Sequence, residues 1–352
     1  RFPARPVENA PPVFVFAKKI DDSLPALFAD IEYDETRQIG NLDTFLASTE
    51  TTAFIIIRDD TILYENYFNG YTRDSINTSF SVAKSFNSAL IGIAVDEGHI
   101  TSIDEPVTKY IPELKGNKFD VITIRHLISM SSGIKYHETG TPWGDDAKTY
   151  YYPDLRKLAL SVEINEPPGK HFFYCNYNPL LIGMILERAT GQPVAKYLQE
   201  KIWRPLGMEF PASWSLDSEE SGFEKMESGI NARSIDFAKF GRLFLRKGSW
   251  NGQQIISEQW VEESTSPPVS RPEDYYSLPE WWADFFESGT GYYKYFWWGR
   301  LRDGGGYDFA AEGNKGQLIY VSPSQNLIIV RNGKAYGGVD WLDIASSMAD
   351  RM

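Results

Sequence analysis

The chain has 352 residues, with 35 Lys and Arg against 48 Asp and Glu, a formal net charge of -13 and a pI near 4.9. That balance, with no basic tract, argues against a nucleic-acid partner, because phosphate binding needs clustered Lys and Arg. The longest apolar runs, such as Ala53 to Ile57, are strand-sized and too short to span a membrane. A domain usually takes about 100–200 residues, yet no Pro-, Ser- or Gly-rich linker divides this sequence and no internal repeat is found. The reading is therefore an N-terminal extension with a first helical segment over 1–50, followed by one compact unit over 51–352 that carries a helical lobe over about 100–230.

In chain order, residues 1–50 begin irregularly, with prolines at 3, 6, 11 and 12, and continue into an acidic, helix-prone stretch. The first residue is Arg rather than Met, as removal of a targeting signal would leave, which would place the protein in the periplasm or outside the cell. Thr52 to Arg58 and Thr61 to Phe68, joined at Asp59-Asp60, predict a β-hairpin. Val82, Phe86, Ala89, Leu90 and Ile93 follow the helical period, with Thr78 or Ser79 able to cap the start and Gly98 to close the end. Helical and loop segments are expected from 81 to about 265. Strands are expected near Tyr307–Ala311, Gly316–Ser322 and Asn326–Asn332, the last two forming a hairpin through Pro323-Ser324, and Trp341 to Met352 closes the chain as an amphipathic helix.

Ser81-Val82-Ala83-Lys84 is the most informative stretch. Residues three apart on a helix lie on one face, with Cβ atoms about 5–6 Å apart, so the Lys84 amine can reach the Ser81 hydroxyl. The first turn also presents unpaired N–H groups and the positive end of the helix dipole, which favour the negative charge that acyl transfer develops. Tyr174-Cys175-Asn176 adds a polar pair, and a tyrosine beside a lysine ammonium would have its phenolate stabilised as a proton relay. Gly313-Asn314-Lys315-Gly316-Gln317 leads into a strand, where glycine lets the backbone approach a substrate and a following N–H can donate to an oxyanion. The four histidines, at 99, 126, 137 and 171, have no short ligand spacing, so neither a metal nor a cofactor is expected. His126 is expected to satisfy a backbone carbonyl in the lobe. Cys175 excludes an internal disulfide and is read as a buried thiol beside the site rather than a nucleophile. Asn77-Thr78-Ser79 is a formal glycosylation sequon placed at the helix start, where chance explains it better. Aromatic clusters at Tyr150-Tyr151-Tyr152 and from Tyr275 to Trp298 are read first as packing.

These segments, in this order, resemble the serine β-lactamase-like superfamily, in particular its class C β-lactamase, D-alanyl-D-alanine carboxypeptidase, β-lactamase-fold esterase and 6-aminohexanoate-dimer hydrolase branch. Thr123-Ile124-Arg125-His126-Leu127 through Ser132-Gly133, Pro168-Gly169 through Thr190-Gly191, Ile202-Trp203-Arg204-Pro205-Leu206-Gly207-Met208 and Ser234 to Gly241 look like further family stretches, so the likeness runs from about residue 50 to the C-terminus. The resemblance implies an α+β fold (an α/β sandwich), with an antiparallel sheet of five or more strands flanked by terminal helices plus the helical lobe. It implies Ser81 as acylated nucleophile, Lys84 as its activating partner and Tyr174 as the proton donor to the leaving group. The Ser81 and Gln317 N–H groups would form the oxyanion hole, and Asn176 would hold Lys84 and the substrate, which Asn314, Lys315 and Gly316 would also contact.

One position departs from the family pattern. Asn314 stands where a lysine or histidine usually helps to bind a substrate carboxylate, and strand alternation would send Lys315 to the other face. The expected activity is therefore a serine hydrolase acting through an acyl-enzyme on small esters or amides. A class C-like β-lactamase or D-Ala-D-Ala carboxypeptidase is the second reading, and a non-catalytic ligand-binding protein of the same fold the third. The expected partner is a small ester, amide or lactam.

Overall fold

The computed structural model describes residues 2–34 and 36–352; Arg1 and Glu35, both within the N-terminal stretch, lie outside the described residues. Eight strands form the main sheet, in the order Gly291–Lys294, Trp297–Leu301, Tyr307–Gly313, Gln317–Ser322, Leu327–Gly333, Thr51–Arg58, Thr61–Tyr67 and Ala17–Lys18. All neighbours are antiparallel except Ala17–Lys18, which runs parallel to Thr61 and Ile62. The hairpin at Asp59-Asp60 turns tightly because both residues take a left-handed conformation, with φ of 52° and 59°, which matches the twist of the strands it joins.

Both faces of the central strands are covered, which is why Thr51–Arg58 reads as a nearly unbroken apolar run and not as an alternation. On one face lies the helix Ser234–Leu245, where a Cβ on Gly241 would stand 2.9 Å from Ile319 and 3.0 Å from Ile328, so the absent side chain sets the approach of helix to sheet. The opposite face is covered by the closing helix Trp341–Arg351, whose Trp341 ring lies 6.4 Å from Phe54. The observed architecture is thus mixed α/β: a large, nearly all-antiparallel sheet with the internal helix Ser234–Leu245 on one face and the closing helix on the other.

Several elements differ from expectation. The aromatic run 291–301 supplies two strands that the sequence reading treated as packing clusters. A second, four-stranded sheet orders Ala4–Val7, Ala212–Ser215, Ile230–Ala232 and Asn77–Thr78, so part of the N-terminal stretch is a strand paired with residues about two hundred positions away. That small sheet holds the segment leading into Ser81. No helix among the described residues is long and apolar enough to cross a membrane.

Candidate active site

The helix Val82–Asp96 begins directly after Ser81, which occupies the N-cap position without bonding the helix through its side chain. Neither Thr78 nor Ser79 caps it. Ser79 is used instead to anchor the incoming loop, its N–H donating to Ile230 O at 2.7 Å and its hydroxyl to Ser228 O at 3.1 Å. Phe80, between the two, has a φ of 43°, a conformation costly for a non-glycine residue and one that concentrates at functional turns. Gly98 ends the helix region at a φ of 74°, as its lack of a side chain allows.

Lys84 Nζ donates to Ser81 Oγ at 2.8 Å and to the main-chain carbonyl of Glu227 at 3.1 Å, and it lies 4.8 Å from the centre of the Tyr174 ring. Its side chain is almost wholly buried, and burial pushes its pKa down to about 7, against a smaller upward pull from the Glu227 carboxylate. Near neutral pH the amine is therefore free to accept a proton from the hydroxyl it touches. Tyr174 is buried beside it, stacked 5.8 Å from Trp298 and edge-on 5.5 Å from Trp281. Burial raises its hydroxyl well above the ordinary tyrosine range, with an interaction with Ser81 pulling the other way. The expectation of an ammonium-stabilised phenolate is corrected accordingly: the same desolvation that neutralises Lys84 keeps Tyr174 protonated.

Asn176 borders the same cleft but does not hold Lys84. Its Nδ2 donates to Tyr136 Oη at 3.0 Å, its Oδ1 is buried without a partner, and Lys84 is held by the Glu227 carbonyl instead. Neither Tyr136 nor Glu227 was singled out in the sequence; a main-chain acceptor leaves no residue-type signal.

The third segment is a turn over Asn314–Gly316, kinked at Lys315, with the strand starting at Gln317, so alternation does not govern residues 314 and 315. Lys315 takes a φ of 65°, and Asn314 and Lys315 are both exposed at the rim of the cleft. Asn314 Oδ1 accepts the Lys315 N–H at 2.7 Å, folding its side chain onto its own turn. A Cβ on Gly313 would lie 2.5 Å from Ser79 O and 3.0 Å from Ser81 N, so only glycine lets this strand end press against the Ser81 loop. The Gln317 side chain is consumed in holding the turn, accepting from Asn332 Nδ2 at 2.9 Å and donating to Gly333 O at 2.8 Å. Its Nε2 also donates to the Asn314 carbonyl at 3.2 Å.

Arg331 was not anticipated. Its fully buried guanidinium donates to the carbonyls of Lys315, Gly316, Thr49 and Ala335 at 2.7–2.9 Å and stacks 3.8 Å from the centre of the Trp341 ring. Burial without a carboxylate pushes its pKa down to about 9.

The remaining candidates are structural. Cys175 is buried, and desolvation pushes its thiol up to about 12, which leaves almost no thiolate at neutral pH. His126 Nδ1 accepts the Thr123 N–H at 3.1 Å as part of a helix cap, so the ring meets an amide N–H where a carbonyl was expected. Among the described residues no group of three or more His, Cys, Asp or Glu is arranged to hold a metal ion. Ser81, Tyr174, Asn176, Glu227 and the 313–317 turn border one cleft of about 1400 Å³, walled by Tyr150, Trp281, Trp298 and Tyr336.

A family model described as Beta-lactamase matches residues 40–336. A 6-aminohexanoate-dimer hydrolase from Paenarthrobacter ureafaciens is 27% identical over 312 residues, which cover 84% of this chain and 75% of that protein. Among solved structures, a Bacillus anthracis protein provisionally assigned as a 6-aminohexanoate-dimer hydrolase superposes with a TM-score of 0.82 at 24% identity, covering 99% of this chain and 89% of that one. EstCE1, a hydrolase with promiscuous acyltransferase activity, superposes with a TM-score of 0.67 at 14% identity over 88% of this chain and 95% of that one. At these identities the structural likenesses speak for the fold.

Proposed function

Since the chain belongs to the β-lactamase family, a family of hydrolases, we propose that it is a serine hydrolase acting through an acyl-enzyme on carboxylic esters or small amides. The observation that carries this reading is the 2.8 Å contact between Ser81 Oγ and a buried Lys84 amine that is half neutral near pH 7. Lys84 takes the Ser81 proton as Oγ attacks the substrate carbonyl, and a tetrahedral oxyanion forms. The Ser81 N–H is one donor to that oxygen. We assign the second to the Gln317 N–H, at the start of the strand that follows the 314–316 turn on the rim of the same cleft.

Tyr174, protonated and over Lys84, then delivers a proton to the departing alkoxide or amine and recovers one from Lys84. Water repeats the sequence in reverse and releases the acid. Asn176, with Oδ1 free, accepts a substrate N–H, while Gly316 and Lys315 border the leaving side. The amide arm is supported by the relative named for hydrolysing the 6-aminohexanoate dimer, and the ester arm by the aromatic walls, which suit an apolar acyl or alkyl group.

The test is a parallel measurement of kcat/KM on p-nitrophenyl esters, a small linear amide, a chromogenic cephalosporin and a D-Ala-D-Ala peptide, in the native protein and in Asn314→Lys. Esters or the amide should lead in the native protein, and the substitution should move the ratio toward the cephalosporin about tenfold, since a charge-assisted bond contributes about 1.5–3 kcal/mol. A native preference for the cephalosporin or the peptide would favour the β-lactamase or carboxypeptidase reading through Lys315. Turnover of none of them, with no covalent labelling of Ser81, would favour a non-catalytic binding protein.

A further inference from the structure

One short segment carries three charged side chains into the interior: Glu224, Lys225 and Glu227 are each no more than 2% exposed. Taking ions out of water is costly unless partners are built around them. Here part of the support comes from the N-terminal residues. Arg5, on the strand Ala4–Val7, donates to Glu224 Oε1 at 2.8 Å and to the Gly222 carbonyl at 2.7 Å. Lys225 Nζ lies against two aromatic rings, 4.1 Å from the centre of Phe2 and 3.9 Å from that of Tyr150, and donates to the Tyr150 carbonyl. It stands 3.5 Å from Glu227 Oε1, which also accepts the Ser228 hydroxyl at 2.8 Å. The main chain of the same segment is tied to the site by three successive carbonyls. That of Lys225 accepts from Trp214 Nε1 at 3.0 Å, that of Met226 from Asn87 Nδ2 at 2.8 Å and that of Glu227 from Lys84 Nζ at 3.1 Å.

Lys225 touches none of the reacting groups, yet it pairs with the carboxylate of the residue whose carbonyl holds Lys84. Resting on the proposed Ser81 reaction, we propose that Lys225 is a positioning residue for it. Held by the rings of Phe2 and Tyr150, it fixes the Glu227 side chain and offsets its charge, so that Glu227 meets Lys84 through a carbonyl alone. The N-terminal residues, through Phe2 and Arg5, are thereby part of the support of the active site. Charge supports the placement. Of the groups that pull the Lys84 pKa up, Glu227 is the strongest, ahead of Glu138 and Cys175, and without a cation 3.5 Å away its carboxylate would act on Lys84 more strongly. The other titratable groups about the pair are Tyr174, over Lys84, Tyr150, against Lys225, and Asp217, which also acts on Lys225.

The experiment is an NMR titration of the Lys84 ε-carbon in protein labelled with ¹³C-lysine, the signal being assigned by its loss in Lys84→Met, together with the pH profile of kcat/KM for p-nitrophenyl acetate. Lys225→Met should raise the Lys84 midpoint by about one pH unit, the lower end of what an opposite charge at close range produces. The acidic limb of kcat/KM should move with it, so that activity falls about tenfold below about pH 7 and recovers by about pH 9. Lys225→Arg, which keeps the charge, and Lys225→Met combined with Glu227→Gln, which removes the pair, should both return the midpoint to near its native value. Phe2→Ala, which leaves the charges in place and opens Lys225 to water, should move it in the same direction by less. An unmoved midpoint in Lys225→Met, or in Phe2→Ala should Lys225→Met fail to fold, would overturn the inference even in an enzyme that hydrolyses the acetate through Ser81. A shift that the double variant fails to reverse would overturn it too, because the fold and not the pair would then be responsible. A reversible shift in a protein that neither hydrolyses the acetate nor acylates Ser81 would instead uphold the role of Lys225 toward Lys84 and remove the serine-hydrolase reading.

Discussion

Replacing Lys84 by methionine should abolish turnover and at the same time make the protein more stable. A lysine that titrates at about 7 in the folded chain and at 10.5 when exposed loses folding free energy at 1.36 kcal/mol per pH unit of difference, on the order of 4–5 kcal/mol in all. The sign follows from proton counting. Between pH 10.5 and 7 the unfolded chain holds this proton and the folded chain does not, so stability falls as pH is lowered through that window and the penalty is constant below it. Methionine of similar length removes the penalty, but it orphans the Glu227 carbonyl and the Ser81 hydroxyl that Lys84 now serves, at about 1–3 kcal/mol for buried groups. The expected net gain at pH 7 is about 1–3 kcal/mol, in the range found when buried charges give way to apolar side chains. Urea unfolding of both proteins at half-unit steps from pH 6 to 10 measures it. The advantage of the methionine variant should grow as pH falls from 10 to 7 and level off below. A variant less stable than the native protein at pH 7, with a gap that does not change with pH, would refute the claim that Lys84 is held neutral by desolvation.

The same titration should appear in catalysis: kcat/KM for a neutral ester rises with pH through an apparent pKa near 7, and a limb displaced above 9 would mean that another base acts. Tyr174→Phe should lower kcat about 100-fold or more on an amide, whose leaving group needs the proton, and less on a p-nitrophenyl ester. Combined with Lys84→Met it should add little further loss, because the two side chains form one relay. Arg331→Met removes donors from four main-chain carbonyls, two of them in the 314–316 turn. It should cost about 3–5 kcal/mol in urea unfolding and lower kcat more than it raises KM; native-like stability with unchanged kcat would show that the turn holds itself.

What could be read from the sequence is what is local. Ser81 and Lys84 meet because three positions on a helix fix their distance, and the Asp59-Asp60 hairpin and the 317–333 hairpin announce themselves through short apolar runs bounded by turn residues. The strands at 291–294 and 297–301 did not, because their Tyr and Trp residues are buried on both faces and show no alternation. The pairing of Ala4–Val7 with Ala212–Ser215 is non-local, and prolines at 3 and 6 masked a strand that tolerates them at a sheet edge. Within the site, the hold on Lys84 comes from a carbonyl and the hold on the 314–316 turn from Arg331, on a neighbouring strand. Neither contact has a spacing to read. The position of Lys315 was misjudged because a turn with left-handed backbone at Lys315 replaces the strand on which alternation would apply.

The account stands on Ser81 as the group that is acylated. Treatment with a fluorophosphonate followed by peptide mass spectrometry should place a single adduct on Ser81, absent from Ser81→Ala and slowed in Lys84→Met. An adduct on Cys175 or on another serine, or labelling that survives in Ser81→Ala, would contradict it.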